Sequence, residues 1–199
     1  AGRLDEARKA LAELEADPSP WDTWFIAMIY VALGENDQAF RWLEVAYGPL
    51  KGITTLHAMK DADFLRKVRD EKSIKKAVVI GGGLIGIETC EALQLAGIEI
   101  TVIELLPQLL MFLDWELAKL VENHVRVKSA NVITDNGVVE FLGSNGLLTG
   151  VKLRNGTELE CELAVVAIGV KPNIALAEKA GLAIGPLGGI AVNEYMQTS

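Results

Sequence analysis

Three glycines at fixed spacing and one acid downstream are the residues in this chain best suited to chemistry. Gly81, Gly83 and Gly86 lie in GGGLIG with the spacing G-x-G-x-x-G, directly after the apolar run Ala77, Val78, Val79, Ile80. Glu104 closes a β-rich run, IEITVIE, 18 residues beyond the last glycine. The first glycine permits a tight turn, the second lets the backbone approach a pyrophosphate, and the third lets a helix press on the preceding strand. A helix starting there offers free N–H groups and partial positive charge to phosphates. An acid at the end of the next strand accepts hydrogen bonds from ribose hydroxyls. The combination predicts a dinucleotide site, although Glu104 taken singly also fits a solvated acid at a strand end. A carboxylate there repels a 2′-phosphate, and Leu105 and Leu106 supply no cation to hold one, so the pattern favours NAD over NADP.

Other chemistries find little support. Cys90 and Cys161 stand 71 positions apart, with no C-x-x-C pair and no His at ligand spacing. They read as two buried free thiols of a cytoplasmic protein, with no metal site. A net charge of −8 and a pI near 4.9, with no Lys/Arg cluster, argue against a nucleic-acid partner. The longest apolar run near the front, residues 24–33, is about half of the ~20 residues a spanning helix needs. Neither a membrane span nor a signal peptide is expected. No residue is assigned a catalytic role.

The elements that position the glycine turn come from periodicity. From Lys75 onward, short β-rich runs alternate with helical stretches, the pattern of a parallel α/β unit. A helix from about Asp114 to Lys128 leads to a strand near Asn131 to Thr134. VVEFLG, LLTGVKLRN and TELECELAVVAIG predict an antiparallel excursion, with a hairpin at Asn155-Gly156 and a return through a buried strand from Leu163 to Ile168. The expectation is a Rossmann-like parallel core of four strands plus a small meander. Upstream, Ile53 to Leu56 suits a short strand and Asp61 to Arg69 a helix.

Residues 1–47 read as helical throughout. GRLDEARKALAEL (2–14) aligns with GENDQAFRWLEVA (34–46) at an offset of 32, matching Gly2 with Gly34, Asp5 with Asp37, Ala7 with Ala39 and Leu11 with Leu43. With Ala27, Tyr30, Ala46 and the turn Asp17-Pro18, this resembles a tetratricopeptide repeat, whose period is about 34 residues. An ordinary three-helix cap also fits. About one and a half repeats cannot close a core, since about three are normally needed. The segment is therefore expected to lean on another surface, and Phe64, Leu65 and Val68 of the following helix are the nearest apolar stripe. The chain divides by character into 1–49 (tetratricopeptide-like helices), 50–74 (connector) and 75–199 (Rossmann-like domain).

Residues 50–199, three quarters of the chain, also resemble a known family, the flavin-dependent pyridine nucleotide–disulfide oxidoreductases, on the branch of NADH oxidases, coenzyme A-disulfide reductases and rubredoxin or nitrite reductase-like proteins. VVIGGGLIGIETCEAL is similar to that family's NAD-domain strand, turn and helix. AVVAIGVKPN (164–173) resembles its second signature, GGIAVNEYMQTS (188–199) its return to the flavin domain, and GITTLHAMKDADFLRKV (52–68) its connector. The resemblance implies that Gly81, Gly83, Leu84, Ile85 and Gly86 hold the pyrophosphate and Glu104 the ribose. It also implies that Ile168 and Gly169 pass under the nicotinamide and that Glu88 lies near the nicotinamide and flavin. By itself Glu88 reads equally well as a first-turn helix acid.

The family's FAD domain, with its own glycine turn and redox cysteine, has no counterpart in the sequence, which suggests a fusion, fragment or chimera. Three functions follow as expectations. One is an NAD(H)-binding module that binds without turnover. Another is an interaction or scaffold protein using residues 1–49 to hold a protein partner. The last is an oxidoreductase subunit completed by a separate FAD domain.

Overall fold

The structure, a computed structural model, describes residues 2–16, 26–27, 29–30, 38, 41–42, 50–56, 58–170 and 172–199. Two compact units divide it, residues 1–169 and residues 170–199.

In the first unit, a parallel sheet runs β1 (Ile53–Thr55), β8 (Leu163–Val166), β2 (Lys76–Ile80), β3 (Glu99–Ile103), β4 (Asn131–Ile133) in spatial order. The sheet has five strands, where the sequence predicts four. Ile53–Thr55 pairs in parallel with Ala164–Val166, so the run assigned to the connector is the sheet's edge. Three residues carry too little periodicity to announce that pairing.

Helices α2 (Met59–Glu71), α3 (Leu84–Leu95) and α4 (Trp115–Val127) link β1 to β2, β2 to β3 and β3 to β4. All three crossovers step the same way across the sheet. Right-handed connections therefore place the three helices on one face. Alternation along the strands separates the two cores. Ala77 and Val79 of β2 pack with Ile100 and Val102 of β3, Val165 of β8 and the helix residues Val68, Cys90, Leu93 and Val125. Val78 and Ile80 point the other way, onto Val138, Leu148, Val151 and Leu153. Those residues belong to the antiparallel meander β5 (Val138–Ser144), β6 (Leu147–Leu153), β7 (Glu158–Glu160). Side chains such as Val79 and Val102 have no solvent exposure, and each contributes about 1.5–3 kcal/mol relative to leaving it in water.

The connector helix begins two residues before its predicted start. Asp61, at its third position, accepts the Ala58 N–H and the Thr55 hydroxyl, both at 3.1 Å, which ties the helix entry to the end of β1. The Asn155-Gly156 hairpin forms as expected between β6 and β7, with Gly156 at φ +86° and its N–H on Leu153 O at 2.8 Å.

At the front, α1 spans Gly2–Ala16, and Ile26, Ala27, Ile29, Tyr30, Gln38, Arg41 and Trp42 are helical. Glu15 accepts the Tyr30 hydroxyl at 2.5 Å and the Trp42 indole N–H at 3.1 Å. Gly34, Asp37, Ala39, Leu43, Ala46 and Asp17-Pro18, which carry much of the repeat echo, lie outside the described residues. Among the described residues, the front segment packs on the meander face, whereas the sequence predicts docking on α2. Ala27, fully buried, belongs to the cluster on the meander face, and Trp42 packs against that same cluster. On α2, Val68 and Leu65 are instead engaged with the sheet's helix-face core, while Phe64 stays 38% exposed. The stripe read as a docking surface was largely taken by the sheet itself.

In the second unit, α5 (Ala175–Lys179) is followed by a tight loop closed by an Ile184–Ile190 bridge and an Asn193–Gln197 turn.

Candidate functional site

The surroundings explain the first and third glycines of the turn. Gly81 has φ +108°, and a Cβ there would lie 2.4 Å from the Ala167 carbonyl oxygen at the end of β8. A Cβ on Gly86 would lie 1.9 Å from the Gly81 oxygen, so α3 approaches the turn at a distance only glycine allows. Gly83 differs: it has an ordinary backbone, φ −77°, and a Cβ there would meet nothing within 4 Å. Packing requires glycine at the first and third places, whereas the second faces open space. Gly83 caps α3, and the first intrahelical bond runs from Ile87 N–H to Gly83 O at 3.0 Å. The N–H groups before Ile87 have no acceptor within the helix.

Glu104, at the end of β3, reaches back to this turn. One carboxylate oxygen accepts the Gly82 N–H at 2.6 Å and the other the Leu106 N–H at 2.8 Å. An ionised carboxylate has about four acceptor sites, so two remain for other donors. The loop after β4 closes alongside: Asn136 N–H donates to Glu104 O at 3.2 Å and Asp135 N–H to Leu106 O at 3.0 Å. A Cβ on Gly137 would sit 3.2 Å from Leu105 Cδ1, which keeps Leu105 against that loop.

The other expected residues separate into two places. Ile168 follows β8 beside Gly81, and Gly169 carries φ +145° at the end of the first unit. Leu84 is exposed at the start of α3. Ile85 and Glu88 face a cleft of about 330 Å³ between α3 and α2, walled also by Leu56, Leu65, Arg66 and Arg69. That cleft is not lined by Gly81, Gly83 or Glu104. The structure thus joins the glycine turn, Glu104 and the end of β8, and sets Glu88 on the flank of α3.

Three contributors carry no sequence signal: Gly82, outside the fixed places of the glycine pattern, and Leu109 and Leu110 in the apolar stretch after Glu104. A Cβ on Gly82 would lie 2.4 Å from Leu109 Cδ2, and Leu110 N–H donates to Gly82 O at 2.9 Å.

Both cysteines are buried and free. Burial, with a smaller push from Glu91, raises the Cys90 thiol to about 11; burial, helped by Glu162, raises Cys161 to about 12. Neither has the electropositive setting of a reactive thiolate. Among the described residues, no cluster of three or more His, Cys, Asp or Glu is arranged to hold a metal ion, and no helix is long and apolar enough to cross a membrane.

Known proteins match this architecture. Residues 29–199 fit the family described as pyridine nucleotide-disulphide oxidoreductase. The nitrite reductase [NAD(P)H] of Bacillus subtilis is 34% identical over 149 residues, covering 74% of this chain and 18% of the relative. A NAD-dependent persulfide reductase from A. fulgidus superposes with a TM-score of 0.66 at 43% identity, over 75% of this chain and 28% of that one. An FAD-dependent pyridine nucleotide-disulphide oxidoreductase from Desulfovibrio vulgaris gives 0.62 at 33% identity, over 75% and 38%. The chain spans well under half the length of these relatives. A match across most of its residues, on the strand, turn and helix just described, makes the chain a member of the pyridine nucleotide-disulphide oxidoreductase family.

Proposed function

We propose that this chain binds NAD(H) at the Gly81–Gly86 turn, as the nicotinamide-nucleotide module of a flavin-dependent oxidoreductase. The observation that carries the reading is the contrast among the three glycines. Two are packed against backbone, and the second leaves open the space that a pyrophosphate would fill in front of a helix N-terminus. In this reading the backbone N–H groups of Gly83, Leu84, Ile85 and Gly86 hold the phosphates. Glu104 takes the adenosine ribose with the acceptor sites left by Gly82 and Leu106. In the same reading Ile168 and Gly169, beyond β8, pass beneath the nicotinamide, while Glu88 lies on the α3 flank in the separate α2–α3 cleft.

NADH supplies a hydride, and the relatives named as FAD-dependent point to a flavin as its acceptor. The flavin is held outside these 199 residues, by a separate domain or chain. This chain's own part is to bind and orient the dinucleotide. A fluorescence titration with NADH tests the reading: saturable binding is expected, without NADH consumption by oxygen or disulfides. Absence of saturable binding overturns the proposal, and an intrinsic 450 nm flavin band overturns the division of labour.

A further inference from the structure

The peptide group between Gly82 and Gly83 is held from behind by the segment that follows Glu104. Leu110 N–H donates to the Gly82 carbonyl at 2.9 Å, and the fully buried Leu109 side chain lies where a Cβ on Gly82 would be, 2.4 Å from its Cδ2. Among the described residues there are no cis peptide bonds. In a planar trans peptide, the C=O of one residue and the N–H of the next point in opposite directions. Fixing the Gly82 carbonyl toward Leu110 therefore turns the Gly83 N–H the other way, out of the loop.

The segment is itself built to stay in place. Leu110 holds φ +49°, a conformation uncommon for a leucine. Leu113 N–H closes on Leu110 O at 2.8 Å, and the buried Gln108 amide donates to Leu113 O at 2.9 Å. On the other side of Gly82, its N–H goes to Glu104 at 2.6 Å. Gly82 is gripped at its N–H, its carbonyl and its open face by three residues of one segment.

We infer that Leu109 and Leu110 are positioning residues for the phosphate turn, fixing the direction of the Gly83 N–H and so setting the affinity for the dinucleotide pyrophosphate. This rests on the reading of the turn as an NAD(H) site. Through Glu104, the same segment links the ribose end of the site to its phosphate end.

The experiment is a double-mutant cycle of Leu109→Val, which trims the Cδ2 methyl, and Gly82→Ala. NADH affinity is read by fluorescence well below the melting temperature, and backbone hydrogen exchange is followed by mass spectrometry. Leu109→Val is expected to raise the NADH Kd about tenfold. It should speed exchange over residues 82–86 while leaving β8 protection unchanged. Gly82→Ala is expected to raise the Kd more, and to do so much less in the Leu109→Val background, where the atom it strikes is gone. Unchanged Kd with unchanged exchange over 82–86, or strictly additive effects, overturns the inference. Should Leu109→Val fail to fold, Leu109→Ile moves the branch at nearly constant volume and carries the same expectations. If the parent chain does not bind NADH, the dinucleotide reading fails, while the exchange measurement still decides whether Leu109 positions the turn.

Discussion

The Glu104 carboxylate accepts the Gly82 N–H at 2.6 Å, so the acid at the end of β3 and the glycine turn after β2 form one unit. The acid proposed to read the ribose is also a strut of the turn that would hold the phosphates. A 2′-phosphate would add negative charge beside a carboxylate whose neighbours, Leu105 and Leu106, offer no cation. NADPH should therefore bind more weakly than NADH by about 1–3 kcal/mol, roughly ten- to a hundredfold. Glu104→Ala is expected to narrow that ratio while weakening both ligands, because it leaves the Gly82 and Leu106 N–H groups without their acceptor. Glu104→Gln, with one acceptor oxygen kept, should weaken NADH less. Equal NADH and NADPH affinities in the parent chain would falsify the ribose role of Glu104.

The glycines should separate folding from binding. Gly81→Ala puts a Cβ 2.4 Å from the Ala167 oxygen in a residue at φ +108°, where the neighbouring atoms are backbone and cannot step aside. It is expected to lower stability by about 1–3 kcal/mol. Gly83→Ala adds a methyl into open space at an ordinary φ of −77° and should leave the melting temperature within about a degree or two. The same substitution is expected to weaken NADH strongly, since the methyl fills the pyrophosphate's place. A Gly83→Ala protein that binds NADH like the parent would move the phosphates elsewhere.

Much of this site was legible because its logic is local. Glycine spacing, the strand before it and the acid after it are all written within 30 residues, whereas β2, apolar from Ala77 to Ile80, does not say which residue faces which core. What was not legible depends on residues brought together over distance. The edge strand Ile53–Thr55 is defined by pairing with a segment over a hundred positions away, and three residues have no period of their own. Leu109 and Leu110 look like any apolar loop residues, and their role appears once Gly82 is seen against them. The placement of Ala27 and Trp42 on the meander face was not legible either, because Leu65 and Val68, apolar and helical, suit the sheet core as well as an outer partner.

The thiols should be silent in the native state. With Cys90 raised to about 11 and Cys161 to about 12 by burial, the thiolate is a very small fraction of each at neutral pH. Ellman's reagent should react with neither until the chain is unfolded in denaturant, when both should react together. Fast native-state labelling of either cysteine would mean that its surroundings open on the timescale of the reaction.

Glu122 on α4 should contribute to acid sensitivity, alongside Glu162, whose carboxyl is held down by the Lys75 and Lys76 N–H groups. Burial pushes the Glu122 carboxyl up, but hydrogen bonds from Lys119 at 2.6 Å and Arg126 at 3.0 Å outweigh it and hold the group below the ordinary carboxylate value. Arg126 also donates to Val132 O at 2.7 Å, which fastens α4 to β4. A depressed folded-state value gives stability that is complete above the unfolded carboxylate pKa of about 4.3. That stability is lost as pH falls through the lower folded value. Chemical denaturation from pH 7 down to 3 should therefore show a decline that Glu122→Gln flattens, at the expense of stability at pH 7. An identical pH slope in the two proteins would place the acid sensitivity elsewhere.

The front helices should melt with the sheet, through the meander face. Ala27 is fully buried in the cluster formed by Val78, Ile80, Val151 and Leu153, and Trp42 packs against both that cluster and the smaller one of Leu11, Ile26 and Tyr30. Glu15 accepts hydrogen bonds from Tyr30 and Trp42, so α1 is fastened to Trp42, a side chain that also packs on the sheet's meander face. Ala27→Asp buries a carboxylate among apolar side chains and is expected to cost about 3 kcal/mol or more, lowering the transition of the whole first unit. Phe64→Asp, on partly exposed α2, should change stability by well under that amount. Tryptophan emission reports mainly on the front segment through Trp21, Trp24 and Trp42, with Trp115 in α4 as the remaining probe, and far-ultraviolet dichroism reports on the whole. Coincident transitions by both probes, shifted together by Ala27→Asp and barely moved by Phe64→Asp, are the expected result. Two separate transitions in the parent chain, or a larger effect from Phe64→Asp than from Ala27→Asp, would instead make α2 the surface on which those helices rest.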